Sequence, residues 1–481
     1  MAASNRMFRS LRVRNYRLYA SGMVVSLTGT WMQRVAQDWL VLELSNNSGT
    51  ALGIVLALQF GPTLLFSLWG GVLADRYDKR RILLVTQSSM IVLAAVLGVL
   101  DVSGAVRLWH VYLLAGLLGV ASALDVPVRQ SFVVEMVGPA DLPNAVSLNS
   151  ATFNAARVVG PALAGVLIAA TDTGWVFLVN AVLTLGVIGG LLLMRPGELV
   201  RSEPTGREPG QLRQGIEYVR SRPDLILPMA LVFVVGTFGL NFPVTLSLLA
   251  REVFGRGAAA YGLMSTAIAV GSLAGALASA RRTSRPTTRF LLVSAFGFGV
   301  AEMLIGAMPS YEAVILLLVP VGVASLSFVI AANSSVQLGS DPAVRGRVMA
   351  LYLMCFMGGA PVGAPLIGVL SDALGPRVGV SAGGAVCAAA AVVAAVVVRR
   401  RAAAAAAPSS AGPALSGVGP SGAGSAGPGA ADGAEGPDGA DGADGAAHPA
   451  HPAGRPAPGR RRRAAGGGGA VRAGLAARLR R

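Results

Sequence analysis

Gly71-Val72-Leu73-Ala74-Asp75-Arg76-Tyr77-Asp78-Lys79-Arg80-Arg81 stands between two apolar runs, residues 50–74 and 82–101. Each run is long enough to cross the roughly 30 Å hydrocarbon core of a bilayer. Hydrocarbon excludes unpaired charge, so cations collect in the loops between membrane helices. The stretch reads as a tight basic turn joining two spans. Gly71 lets a neighbouring helix come close. Asp75, an acid at the membrane edge, is suited to accept hydrogen bonds from another helix N-terminus, where the helix dipole favours an anion.

Working outward, the same alternation recurs along the chain. Spans are expected at 17–42, 50–74, 82–101, 108–127, 144–170, 174–194, 225–249, 259–280, 290–308, 312–332, 347–370 and 378–398. Of 481 residues, 53% are apolar and 13% are charged, about half the usual charged share of roughly 25%. The fold class is therefore all-α: a polytopic membrane protein of twelve transmembrane helices. Loop arginines orient it. Arg76, Lys79, Arg80 and Arg81, then Arg129, then Arg195 to Arg222, Arg281 to Arg289, Arg345 with Arg347, and Arg399 to Arg401 fall in alternate loops. The intervening loops hold Arg107, Arg251, Arg256 and Arg377 alone. Positive residues stay inside, so both termini are expected in the cytoplasm and the chain in the cell membrane. The net charge of +16 is read as topology, and no nucleic-acid partner is expected. Cys355 and Cys387 lie in apolar runs and, with three histidines in all, form no disulfide or metal pattern. The first span doubles as the targeting signal, with no cleavage site near it.

Residues 1–16 are expected to be a cytoplasmic lead-in, 17–194 a six-helix bundle, 195–224 a polar linker, 225–398 a second six-helix bundle, and 399–481 a disordered tail. The two bundles repeat at an offset of about 203 residues, read from Asn144 against Arg347. Asn144-Ala145-Val146-Ser147-Leu148 followed by Gly160-Pro161-Ala162-Leu163-Ala164-Gly165-Val166-Leu167 matches Arg347-Val348-Met349-Ala350-Leu351 followed by Gly363-Ala364-Pro365-Leu366-Ile367-Gly368-Val369-Leu370. Gly71-Val72-Leu73-Ala74 similarly matches Gly275-Ala276-Leu277-Ala278. Parallel six-span halves place a substrate site at their interface, near the midplane.

The opening stretch resembles the signature loop of the major facilitator superfamily, with Asp78 where that loop has Gly. Asn15-Tyr16-Arg17, Thr30-Trp31-Met32-Gln33-Arg34-Val35-Ala36, Asp125-Val126-Pro127-Val128-Arg129-Gln130, Asp141-Leu142-Pro143-Asn144-Ala145 and Arg345-Gly346-Arg347-Val348-Met349 resemble its enterobactin-exporter and macrolide-efflux branch. The resemblance spans about residues 10–400. It implies that Asp75 latches the inner gate near the start of span 11, with Gly71, Arg76 and Arg80 in support. The repeat has Ser279 at the equivalent place, so the charged latch is complete in the first half only. Asp125 and Arg129 at the inner end of span 4 are assigned to the same gate. Gly160, Pro161 and Gly165 keep part of the antiporter motif of span 5, with Ala156 and Ala164 where Gly is usual.

Polar stripes mark the interior. Ser26, Thr30, Gln33, Arg34, Gln37 and Asp38 share one helical face of span 1. An arginine at mid-membrane costs about 2.5–3.5 kcal/mol on insertion scales, so the face must meet a cavity or partner helices. Asp38, one turn from Arg34, is placed to offset it; burial and that arginine act on the Asp38 carboxyl in opposite senses. Ser147, Ser150, Asn154 and Arg157 form a second stripe on span 5, and Arg157 is placed to pair with Asp38 or to bind an anionic group. Glu302 lies midway along span 9. Gln33, Arg34, Gln37, Asp38, Asn154, Arg157 and Glu302 are the candidate substrate and proton pathway; Asn180, Asn241 and Asn333 are weaker candidates. Met354, Phe356 and Met357 suggest apolar cavity walls.

The only lysine, Lys79, follows no glycine-rich loop, so no ATP-binding motif is present and transport must run on a gradient. The expected function is proton-coupled efflux of a drug-like molecule or siderophore by alternating access, by a monomer, with lipid, protons and a small-molecule substrate as partners and with no cofactor. Uptake of a nutrient is the alternative direction. An intramembrane enzyme would need a nucleophile and base, and the sole histidine near a span, His110, lies at its edge. No catalytic residue is expected, and a sensor would need an added soluble domain.

Overall fold

The computed structural model describes residues 8–200, 211–282 and 284–406, excepting the side chains of residues 67, 68, 71, 72, 74, 75, 211, 212 and 404–406. Among these residues the chain is helical throughout, with no strand. Ten helices are long and apolar enough to cross a membrane. The longest, Leu108–Ala170, has 63 residues, about 95 Å of rise; Gly138, at φ 69, breaks it into two. Arg14–Leu44, whose polar stripe lowers its apolarity, completes the set of twelve. Outward-facing Leu65, Val85 and Leu316 are 66–74% exposed, a surface suited to hydrocarbon and costly in water.

The spans, in order, are Arg14–Leu44, Gly49–Arg76, Lys79–Val102, 108–137, 139–170, Thr173–Leu193, Pro223–Val253, Ala258–Ala280, Thr288–Ala307, Tyr311–Gly339, Arg345–Leu374 and Pro376–Ala406. Most begin or end within a few residues of expectation. Spans 4 and 5 differ: the loop expected between 127 and 144 is helix up to Gly138. Two ion pairs explain the difference. Arg129 Nε lies 3.3 Å from the Asp125 carboxylate, and Lys79 binds Glu135 with both side chains nearly buried. Charges that look like loop residues in the sequence are paired within helices. Phe132, Val133 and Met136 then bury against Tyr16, Tyr19 and Leu83.

Local chemistry sets several helix starts. Asp78, the departure from the family's Gly, accepts from the Arg81 N–H at 3.0 Å and caps span 3. Ser48 caps span 2 and Ser310 caps span 10 in the same way. Span 7 is interrupted: its hydrogen bonding widens to i→i+5 over Val235–Gly239, and helix resumes at Phe242–Leu248. Pro243 lacks an N–H there, and the Asn241 side-chain amide donates to the Thr237 carbonyl at 2.6 Å. Span 11 divides at Gly359. The polar linker contains a helix over Gln211–Arg220. The tail from 407 onward and the first seven residues lie outside the described residues.

Packing repeats across the sequence. Span 2 lies against span 4 and span 8 against span 10; span 3 lies against span 6 and span 9 against span 12. Between the two sets, span 2 meets span 11 and span 5 meets span 8. These crossings rely on small residues. A Cβ on Gly53 would stand 2.6 Å from the Ala364 carbonyl oxygen, and one on Gly160 2.5 Å from the Trp31 Cβ.

Candidate functional site

Where spans 1, 2 and 5 face spans 7 and 8, a cavity of about 210 Å³ opens. Arg34 and Asp38 enter it from span 1, Gln59 from span 2, Arg157 from span 5 and Tyr261 from span 8. Its apolar walls come from Trp31, Phe60, Leu240, Phe242 and Ile268. Met354, Phe356 and Met357 are not among the lining residues, and Phe356 stacks on Tyr352 instead.

Two cations stand near the Trp31 indole. The Arg34 guanidinium carbon is 4.6 Å from its ring centroid and that of Arg157 is 5.8 Å away; Arg34 also lies 6.0 Å from the Phe60 ring. Among the described residues neither guanidinium has a carboxylate within ion-pairing distance. The expected i,i+4 ion pair between Arg34 and Asp38 is thus not made. Asp38, 4% exposed, instead accepts a hydrogen bond from the Tyr261 hydroxyl at 2.6 Å, and Tyr261 stacks on Trp39. That bond ties span 1 to span 8. Ring faces attract cations strongly once desolvated, which explains how two arginines stand in an apolar region without acidic partners.

The other sequence candidates separate. Gln33 accepts from the Asn180 amide and is held between spans 1 and 6; Ser26 joins the same seam through Thr184 at 3.3 Å. Gln37 is buried, 3% exposed, and does not line the cavity. Asn154 donates to the Ser150 carbonyl on its own helix at 2.8 Å. Glu302 is 1% exposed, away from the cavity near Gly239, Gly383 and Cys387, with Oε2 lacking a hydrogen-bond partner. Asn333 pairs with Tyr352.

At the end that carries the loop arginines, Asp125 is buried and accepts from Thr86 and Gln87 of span 3, each at 2.8 Å. With Arg129 it ties span 4 to span 3. Arg80 donates to the Leu191 and Leu192 carbonyls at 2.6 and 3.1 Å, closing the end of span 6. Arg76 is exposed. The side chains of Gly71 and Asp75 lie outside the described set, and with them the expected latch. In span 5, Gly160 admits Trp31, Pro161 lines the cavity, and Gly165 lies under Ala259 of span 8. Ala156 and Ala164 are 3% and 0% exposed, so the packing takes a methyl at both places. A second cavity of about 210 Å³ lies between spans 8 and 10 among Arg282, Arg285 and Ser334.

Sequence reasoning missed Tyr261, Trp31 as the ring that neighbours both arginines, Glu135, and Asp372, whose carboxylate caps span 2. Among the described residues, the hydrogen bonds and ion pairs joining spans 1–6 to spans 7–12 are those of Asp372 with residues 48–50, Arg251 with Glu43, Tyr261 with Asp38, and Thr266 with Val158. They lie at mid-span or toward the end away from the loop arginines.

A family described as "Transmembrane secretion effector" matches residues 6–418. The chain is 26% identical to the staphyloferrin A transporter of Staphylococcus aureus over 74% of its length and 89% of the relative's. It is 28% identical to the multidrug efflux pump Tap of Mycolicibacterium fortuitum, covering 72% and 87%. It is 25% identical to the enterobactin exporter EntS of Shigella boydii, covering 71% and 82%. In fold it is similar to a solved mutant of the nucleoside transporter NupG, with a TM-score of 0.66 at 11% identity over 80% of this chain and 99% of that one.

Proposed function

Because the chain belongs to the transmembrane secretion effector family of the major facilitator superfamily and is a multi-pass efflux transporter, we propose that it expels a bulky organic anion in exchange for protons, by rocking two six-helix halves about the cavity. The observation that carries this reading is the pair of guanidiniums beside Trp31, without a carboxylate partner among the described residues. A planar guanidinium binds carboxylate or phosphate oxygens in a fork, and the neighbouring aromatic rings suit an aromatic or acyl body. The cargo is then an amphipathic acid, of the drug or siderophore kind handled by the relatives. The cavity holds only a head group in this conformation, and the rest of the cargo enters as the halves part.

Asp38 serves as the proton carrier. It is the cavity's one carboxylate, and its bond to Tyr261 spans the interface between the halves. Protonation removes the charge that holds the tyrosine hydroxyl, so proton loading and the separation of spans 1 and 8 are linked. The concentration of arginine in alternate loops supports a cytoplasmic position for those loops and both termini, with residues 17–194 and 225–398 as the two halves.

Extracellular and cell-retained metabolites are compared between a deletion strain and strains restored with the parent or with Arg157→Gln. The retained solutes are expected to be acids, and the variant to bind them about 1.5–3 kcal/mol more weakly, roughly tenfold to a hundredfold. A retained set made of cations or neutral sugars overturns the substrate reading. In inverted vesicles, an imposed proton gradient is expected to drive export through the parent but not through folded Asp38→Asn; equal export by both removes Asp38 as the carrier.

A further inference from the structure

Span 2 begins at Gly49 and span 11 ends at Leu374, and the two lie against each other from opposite halves. One carboxylate joins them at the end away from the loop arginines. Asp372 Oδ1 accepts from the Gly49 N–H at 2.6 Å. Its Oδ2 accepts from the Thr50 N–H at 3.0 Å, the Thr50 hydroxyl at 2.6 Å and the Ser48 hydroxyl at 3.0 Å. Ser48 itself accepts from the Ala51 N–H at 3.2 Å. The first N–H groups of a helix have no partner within it, and the helix dipole favours an anion there. Asp372 thus caps a helix of the other half. Gly53 against Ala364, and Gly368 against Gly49, bring the two backbones together beside it.

The sequence supplies a second, independent observation. Near its end span 11 reads Gly368-Val369-Leu370-Ser371-Asp372, and near its end span 2 reads Gly71-Val72-Leu73-Ala74-Asp75. Four of five residues are identical, and the aspartates stand two residues and one residue before the helix ends at Leu374 and Arg76. The two helices run antiparallel, so the two copies stand at opposite ends of one helix pair.

We propose that Asp372 is the outer-gate latch of the transport cycle, holding the far end shut in this conformation. This rests on the exporter reading, in which the far end must open to release cargo. Four donors converge on one carboxylate across the interface, and parting the halves there breaks all four at once. Opening requires the cap of span 2 to be given up to water.

Paired spin labels test this in the full chain in lipid nanodiscs, in a Cys355→Ala, Cys387→Ala background. One pair sits at Ala105→Cys and Leu374→Cys at the far end, the other at Tyr77→Cys and Ala343→Cys at the arginine-rich end. Asp372→Asn keeps the shape and loses the charge. It is expected to raise the long-distance population of the far-end pair about tenfold or more while the other pair shortens. Thr50→Val, which removes one donor and leaves the helix intact, is expected to shift both pairs the same way by less. Parent-like distances in both variants overturn the latch; should Asp372→Asn not fold, Thr50→Val combined with Ser48→Ala decides alone. The distances read gate closure whichever face is cytoplasmic and whatever is carried, so a failed export assay leaves this result intact, and the reverse holds too.

Discussion

At the scale of single residues, Asp38 and Tyr261 meet from positions 223 apart in the chain. Tyr261→Phe removes the donor while keeping the ring on Trp39. It is expected to leave the protein folded and to slow proton-driven export several-fold, read in the same inverted vesicles; parent-like rates would separate the hydroxyl from coupling. Lys79 and Glu135 give a stability test. Both side chains are about 10% exposed, so Lys79→Met strands a buried carboxylate at a cost of about 3–5 kcal/mol. A lower thermal midpoint in detergent is expected, with much of the loss recovered on adding Glu135→Leu. Arg34, Asp38 and Arg157 were legible in the sequence because a charge inside an apolar run is conspicuous. Tyr261 was not, since a tyrosine near the start of a span has the appearance of an interfacial anchor. Gln33 and Gln37 share the helical face of Asp38 by periodicity, yet that face is wide enough to meet span 6 as well as the cavity.

At the scale of elements, a missing side chain governs the contact of spans 1 and 5. Gly160→Ala would drive a methyl into the Trp31 Cβ, and such overpacking costs about 1–3 kcal/mol. It should also move the indole relative to Arg34 and Arg157. Reduced thermal stability together with altered tryptophan fluorescence is the expected outcome; a parent-like spectrum would show that the indole does not depend on that glycine. The order and number of spans were legible because twenty-residue apolar runs are unambiguous. The joint between spans 4 and 5 was hidden by Arg129 and Glu135, whose partners lie on the same or a neighbouring helix. The widened turns of span 7 were hidden for another reason: Asn241 and Pro243 mark the place, but the sequence does not tell a kink from a loop.

At the scale of the whole molecule, the polar links between the halves among the described residues include a cluster at the far end, on Asp372. Loop charge gave the alternation of ends in the sequence, but which end is shut depends on contacts between residues such as Asp372 and Thr50, more than 300 positions apart. Impermeant thiol reagents are expected to label Ala105→Cys and Leu374→Cys in intact cells and Tyr77→Cys only after permeabilisation; the opposite pattern inverts the topology. The lone residue between spans 4 and 5 has a mechanical meaning for this cycle. Gly138 is a joint with no slack, anchored on either side by Phe132 and Ala145, both fully buried. On the proposed rocking cycle, a push on span 5 beside Arg157 is expected to pass into span 4, and through Asp125 into span 3, so that the first six helices move as one frame.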